Sequence, residues 1–335
     1  MPPFDFMPGA AHETPLLGQM AVAAVTPPET FIQPVVFPDT QVPDMDFRAP
    51  VYNDDNLVAV EDDTIGRDTR MLESFLSVGS YSAELGMHGR MAVIPQIDMG
   101  RAIRAKRIAQ ALGNGGDPIF DLKLMHSTSM LAKNMRHNEV LACLLLKDPA
   151  NYDASHKLVA GDAVNVQTSA LVRETLAGAS NTVADDGNGN PANVVIVGVG
   201  AKRALEANTN FLALLPEDQT KVLTSADLIK ILNLPDGSTV IFASARVKDR
   251  EGGAAYPILD NWIWVGRVVP ATDKINATFG RNFWTPDTRN NKRVYTNEIK
   301  EGIQETTKLG LFNSYRPVVT GKKYGFLIET VPYAA

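Results

Sequence analysis

Apolar residues along this chain change their period several times, and each change marks a different kind of element. The strongest pattern runs from Asp117 to Asp148. Phe120, Leu124, Thr128, Leu131, Met135, Ala142 and Leu145 fall on or near one stripe, at spacings of mostly three and four. Asp117 can cap the first turn, Pro118 suits the first helical position, and Lys147-Asp148-Pro149 stops the pattern. The spacing predicts a helix over 118–147, about 45 Å long by helix rise and several times the usual three turns. A helix of that length is an architectural spine.

The first fifty residues follow no period. Ten of the 21 prolines fall there, and no Lys or Arg appears before Arg48. Proline fixes φ and biases the residue before it to extended conformations, so this segment is expected to be an extended arm rather than a helix or a central strand. Its apolar residues, among them Phe4, Phe6, Leu16, Leu17, Phe31, Val35, Val36 and Phe37, suit an arm lying on another surface. A disordered tail is the competing reading.

From Asp46 to Gln96 short β-favouring pieces (Phe47–Tyr52, Leu57–Val60, Phe75–Val78, Met91–Ile94) alternate with polar turns, around a charged middle from Glu61 to Arg70. This predicts a long β-excursion with little core of its own. Met99–Leu112 reads as a basic helix carrying Arg101, Arg104, Lys106 and Arg107, more simply a solvated or salt-bridging face than a nucleic-acid patch.

After Pro149 the pattern is mixed. Asp162 is expected to cap a helix ending near Gly178, followed by a loop at Asp185–Asn190. Asn193–Gly198 reads as a buried strand, Ala201–Asn208 as a helix, and Thr224–Leu232 as a helix with Asp227 in its first turn. Thr239–Ala243 and Trp262–Val269 read as strands, with a loop at Lys248–Ala255 between them. In the last sixty residues Ile275–Trp284, Lys292–Tyr295, Glu305–Tyr315 and Tyr324–Val331 are strand-like, and no internal repeat is present.

Composition narrows the function. The 335 residues, 44% apolar, can bury a substantial core in roughly one to three domains. No run is long and apolar enough for a membrane span, and no basic region opens a secretory signal, which predicts a soluble chain made in the cytoplasm. The net charge of −6 without a polybasic tail argues against condensing nucleic acid, though not against a wall that faces DNA. The single cysteine, Cys143, sits in the apolar run Val140–Leu146 and reads as core filler rather than a nucleophile.

Catalytic and binding motifs are weak. Gly198-Val199-Gly200 follows an apolar strand and precedes a helix, as in a dinucleotide fingerprint, but Arg203 stands at the third glycine position. Gly321-Lys322-Lys323 has Arg316 where a phosphate loop needs its first glycine, and Lys323 where it needs a hydroxyl. His12, His88, His126, His137 and His156 are scattered. His126 and His137 share a helix face, yet lie about 16 Å apart by helix rise, too far for one metal. Asp185-Asp186-Gly187-Asn188-Gly189-Asn190 lacks the spacing and terminal Glu of a calcium loop. No catalytic, cofactor-binding or metal-ligating residue is assigned, and no cofactor is expected.

The spine candidate Asp117–Asp148, preceded by the β-excursion, and the run Leu311-Phe312-Asn313-Ser314-Tyr315-Arg316-Pro317-Val318-Val319 resemble, in their order, the major capsid proteins of tailed bacteriophages with the Hong Kong 97-type fold. Asn193–Gly198 followed by Ala204-Leu205 is similar to an axial-domain strand and helix of that family, and Lys292–Val319 to its returning strand pair. The resemblance covers nearly the whole chain, by element order more than by diagnostic motif.

It implies an α+β chain with an N-terminal arm (1–45), an extended β-loop (46–98), a peripheral domain (99–150, spine helix 118–147), an axial domain (151–272) and return strands of the peripheral domain (273–335). It implies a non-enzymatic shell subunit, located in the virion and assembled in the host cytoplasm, that builds hexamers and pentamers with copies of itself around a double-stranded DNA genome contacted non-specifically. Further partners would be a portal and a separate scaffolding protein, with room for a decoration protein and no membrane. No crosslinking Lys or Asn of the family can be matched. Two rivals stand beside this reading: an encapsulin-type cellular compartment, and a nucleotide-binding enzyme built around Gly198–Ala204.

Overall fold

The computed structural model describes residues 12–13, 15–25, 27–52, 78–112, 117–187, 189–215, 222–248, 253–272, 277–286, 293–301 and 306–333. Within them the chain is α+β, and the predicted long helix is present as Pro118–Lys147. Asp117 caps it by accepting the Ile119 amide at 3.2 Å, and Lys106 holds the same carboxylate at 2.6 Å. At the far end the Asp148 carboxylate accepts the Ala150 amide at 3.0 Å, opening a new turn where Pro149 cannot continue the helix.

This helix serves two sheets. The first has Thr306–Val319 at its centre. One edge of that strand takes Gly86–Ile94 antiparallel. The other takes Val294–Glu301 along one half and Gly280–Trp284 along the other, with Asp39–Gln41 parallel to the latter. The second sheet runs Lys157–Leu158, Gly325–Glu329, Trp262–Gly266, Val194–Gly198, Thr239–Ala243. Met130 and Leu131, in the first half of the helix, pack with Ile94, Val294, Leu309 and Leu311 of the first sheet. Ala142, Cys143 and Leu146, in the last turns, pack with Ile196, Ile241, Trp264 and Leu327 of the second. Lys123 adds a polar tie, donating to the buried Glu298 at 2.6 Å.

Both faces of the second sheet are covered, which explains why its strands read as unbroken apolar runs. Val195, Val197, Ile263, Val265, Phe326 and Ile328 share a core with the helices Val172–Asp186, Val199–Ala207 and Ser225–Ile231. The last of these opens with the expected capping exchange, in which the Thr224 hydroxyl accepts the Asp227 amide and Asp227 accepts the Thr224 amide.

The N-terminal segment departs from the expected extended arm. Pro15–Ala24 is a helix, Gln33–Val36 is a helical turn, and Ala21 packs in the core that the long helix shares with the first sheet. Proline is excluded from helix interiors but not from the first turn. Pro15 is the first residue of its helix and Pro34 the second of its turn, so the prolines punctuate helices rather than forbid them. Ile32, Val36 and Phe37 are fully buried against the second sheet and the long helix. Gly280 leaves the space that the Phe37 ring fills, since a Cβ there would come within 2.5 Å of it.

The fully buried Glu139 carboxylate fixes this segment by accepting the Ile32 amide at 2.9 Å and the Gln33 amide at 2.8 Å. Burial raises the pKa of Glu139, and the two amides oppose that rise. Residues such as Phe4 and Phe6 lie outside the described part.

A second departure concerns the helix expected from Asp162. Asp162 ends a single 3-10 turn, and the helix starts ten residues later at Val172, running through Gly178 to Asp186. The intervening loop is held by Asn208, whose side-chain amide donates to the carbonyls of Val166 (2.7 Å) and Ser169 (2.8 Å). The expected loop at Asp185–Asn190 therefore begins only after Asp186.

Within the predicted β-excursion, Asp46–Tyr52 and Val78–Glu84 pair antiparallel. Their base is anchored where Phe47 meets Phe283 at a 4.5 Å ring separation, beside Leu85 and Val318. Met91–Ile94 proves to be the end of the longer strand Gly86–Ile94. Leu57–Val60, Glu61–Arg70 and most of Phe75–Val78 lie outside the described residues, as do parts of Lys248–Ala255 and Ile275–Trp284 and the start of both Lys292–Tyr295 and Glu305–Tyr315.

If the N-terminal segment belongs to the core, Phe37→Ala is expected to cost about 3–5 kcal/mol through the lost ring and the cavity it leaves. Urea unfolding of the purified chain measures this, and an unchanged midpoint would return the segment to the status of a detachable arm.

Candidate functional site

The dinucleotide-like turn is closed by the chain itself. After strand Val194–Gly198 the first amides of helix Val199–Ala207 point at the Leu259–Asn261 loop. Val199 N–H donates to the Leu259 carbonyl (3.3 Å), Gly200 N–H to the Asp260 carboxylate (2.9 Å) and Ala201 N–H to the Asp260 carbonyl (3.0 Å). A Cβ on Gly198 would lie 2.4 Å from the Asp260 carbonyl oxygen, and one on Gly200 would lie 2.4 Å from Asn261 Oδ1. These glycines admit a neighbouring loop where a pyrophosphate would have to sit, and the donors are already used by two backbone carbonyls and the Asp260 carboxylate.

The remaining candidates disperse. Cys143 is buried with its thiol 3.5 Å from Glu139, and burial first, then that carboxylate, pushes its pKa well up, so it stays a thiol. Lys322 donates to the Ala150 carbonyl at 2.8 Å. Asp186 lies 3.2 Å from His156, a fully buried ring whose pKa is lowered by burial while Asp186 opposes the shift. On the basic helix, Gln96–Ala111, Arg101 pairs with Asp98 and Lys106 with Asp117, whereas Arg104 and Arg107 are exposed. Among the described residues no group of three metal-ligating side chains occurs, and no helix is long and apolar enough to cross a membrane.

Two features that sequence reasoning missed stand out. The first is an apolar sheet face. Strand Gly86–Ile94 alternates strictly, so His88, Arg90, Ala92 and Ile94 turn inward while Met87, Met91 and Val93 are 71%, 56% and 52% exposed. Phe312 lies across Gly89 on the exposed face, where a Cβ would come within 2.9 Å of its ring. Ile97, Ile108 and Leu112 of the next helix and turn are exposed as well. An apolar surface of this kind marks an interaction site rather than a solvent face. Met87, Met91 and Val93 carry the period-two signal of a half-buried strand, but the pattern alone does not say which face is inward.

The second is a polar joint between the long helix and the first sheet. Arg90 Nε donates to Asn134 Oδ1 at 2.6 Å, and Asn134 Nδ2 donates to Asn313 Oδ1 at 3.1 Å. The Tyr315 hydroxyl donates its one proton to the Asn134 carbonyl at 3.1 Å. His137 Nδ1, 2.9 Å from the same hydroxyl, must therefore carry the proton of that bond. His88 stacks on Tyr315 at 4.1 Å between ring centres and lies 5.0 Å from His137. The pairing of His137 considered from sequence, with His126, does not form. Its partners come from residues 49 and 178 positions away, a juxtaposition with no local sequence signal.

No protein-family model matches the chain, and no curated sequence does. Solved structures do. A phage-related protein from Bordetella bronchiseptica is 16% identical, with a TM-score of 0.72 over 97% of this chain and 100% of that one. A protein described as the capsid protein of an Escherichia coli prophage is 12% identical, with a TM-score of 0.54 over 96% of this chain and 100% of that one. An encapsulin complex from Synechococcus elongatus is 10% identical, with a TM-score of 0.52 over 92% of this chain and 89% of that one. The likeness spans nearly the whole of the chain and shows a shared fold: the chain has the Hong Kong 97-type capsid fold.

Proposed function

We propose that this chain is the major capsid protein of a tailed phage, a subunit that assembles with copies of itself into an icosahedral shell around double-stranded DNA. The observation that carries this reading is a fold likeness spanning 100% of the length of each of two proteins, one phage-related and one of a prophage. The exposed face at Met87, Met91 and Val93 supports it, because a subunit that buries such a face only against its own copies has a reason to display it. The closed Gly198–Gly200 turn and the inert Cys143 give the rival nucleotide-binding enzyme no support.

On this reading residues 46–98 form the extended β-loop, 99–150 and 273–335 the peripheral domain, and 151–272 the axial domain. Residues 1–45 remain the arm, with the part from Pro15 to Gln41 folded onto its own body. Hexamers and pentamers of the chain would make the shell. A portal, a separate scaffolding protein, a decoration protein and non-specifically contacted DNA would be its further partners. The likeness to an encapsulin complex favours one alternative, a cellular compartment shell.

Electron microscopy of the purified protein is expected to show rings or closed shells hundreds of ångströms across, far beyond the ~20 Å gyration radius of a compact chain this size. Only free subunits at all concentrations would sink the proposal. Protected DNA inside the particles marks the phage reading, and a protected enzyme cargo marks the alternative.

The double substitution Met91→Lys, Val93→Lys, on the exposed face, is expected to change stability by only about 0.5 kcal/mol or less. The same variant should remain as free subunits by sedimentation. Normal shells from it would remove this face from the assembly surface. Dinucleotides at millimolar concentration are expected to leave the melting temperature unchanged. A rise that grows with ligand concentration would reopen the enzyme reading.

A further inference from the structure

The polar joint has a composition that its structural role does not require. It fastens the inner face of strand Gly86–Ile94, and through it the Asp46–Glu84 hairpin, to the long helix. Yet it does so with two histidines beside an arginine and, among the described residues, no counter-charge. We propose that the His88–His137–Tyr315 joint is an acid-operated release, which loosens strand Gly86–Ile94 from the long helix when the surroundings acidify.

The geometry supplies each part of such a device. The rings are close, 5.0 Å between centres, so two imidazolium charges would repel across a short gap. Among the described residues the charges acting on them are positive: His137 and Arg90 on His88, and Arg90 on His137. Burial lowers both pKa values first, and these charges lower them further. Only the Tyr315 backbone opposes the shift at His88.

The other charged groups around the joint do not neutralise it. From the long strand, Arg316 donates to the Glu84 carbonyl at 2.8 Å, and the Tyr315 phenol stays protonated because burial raises its pKa. Arg293 is paired with Asp39. From the long helix, Arg136 is exposed. Glu84 and Asp148 are exposed carboxylates on the wall of a groove of about 850 Å³ that reaches His88 and Tyr315. That groove gives protons access without unfolding.

The neutral His137 ring donates through Nδ1 to Tyr315, so protonation takes place at Nε2 and adds a positive charge beside Arg90 and His88.

The sign follows from linkage. Both rings bind protons less readily in the closed joint than at their ordinary value of 6.5. The opened form therefore takes up protons first. The joint's contribution is fully present above that value and is lost as pH falls through the lowered pKa values.

The test uses the full chain as free subunits. Between about pH 7.5 and about pH 5.5 the wild type is expected to lose roughly 2–4 °C more in melting temperature than the variant His88→Gln, His137→Gln. The variant His126→Gln, a half-exposed ring on the same helix, should behave as wild type. His156 titrates in all three chains, so the difference isolates the joint.

A second measurement does not depend on the variant folding. Hydrogen exchange of the wild type, corrected for the intrinsic effect of pH, should speed up on acidification at residues 86–94 more than at residues 194–198. Equal acid sensitivity of wild type and double variant, or exchange at 86–94 that accelerates no more than at 194–198, would overturn the proposal.

Discussion

One helix has to satisfy two sheets at once, and the rest of the structure is arranged around that demand. The Pro118–Lys147 helix gives Met130 and Leu131 to one core and Ala142, Cys143 and Leu146 to another. Bending or breaking it would therefore cost packing in both. Three of its polar inward positions are tied to distant elements, while Ser127 Oγ and Asn138 Oδ1 are buried without a hydrogen-bond partner among the described residues. Asn134 is held between Arg90 and Asn313, Glu139 between two backbone amides, and Lys123 on Glu298. Such groups add little net stability when satisfied but penalise every arrangement that leaves them unpaired. They set the position of the sheets along the helix, while the apolar residues supply the attraction.

Much of this was legible in the sequence because it is local. The cap at Asp117, the stop at Pro149 and the stripe between them set the long helix within a residue. The run Asn193–Gly198 read as a buried strand because both its faces are covered, and the Thr224–Asp227 exchange is written in four consecutive residues. The capsid resemblance rested on the order of these elements, and the likeness to solved structures supports that order while no sequence relative does.

What failed was non-local. Proline density argued for an extended arm, yet Pro15 and Pro34 stand where helices tolerate them, and what folds that segment back is a carboxylate more than a hundred residues away. Asp162 looked like a cap, but Asn208 holds the loop after it, and the stripe Val172, Leu176, Ala179, Val183 is the better guide to that helix. The His88–His137–Tyr315 joint joins three elements far apart in sequence, so no local pattern could have announced it.

The order of strands also bears on how the chain is made. The first sheet is organised on Thr306–Val319, and Gly325–Glu329 lies between two partners in the second. A ribosome that has produced the long helix, the Gly86–Ile94 strand and most of the second sheet has still not released the strand at the centre of the first sheet, nor the strand that flanks Trp262–Gly266 in the second. Until it does, neither face of the helix has a finished surface to rest on. Long-range pairing of this kind is slow to form and sensitive to interruption. While it is pending, unpaired strand edges and apolar faces stay open, so the last strands of the chain set how long those surfaces are exposed.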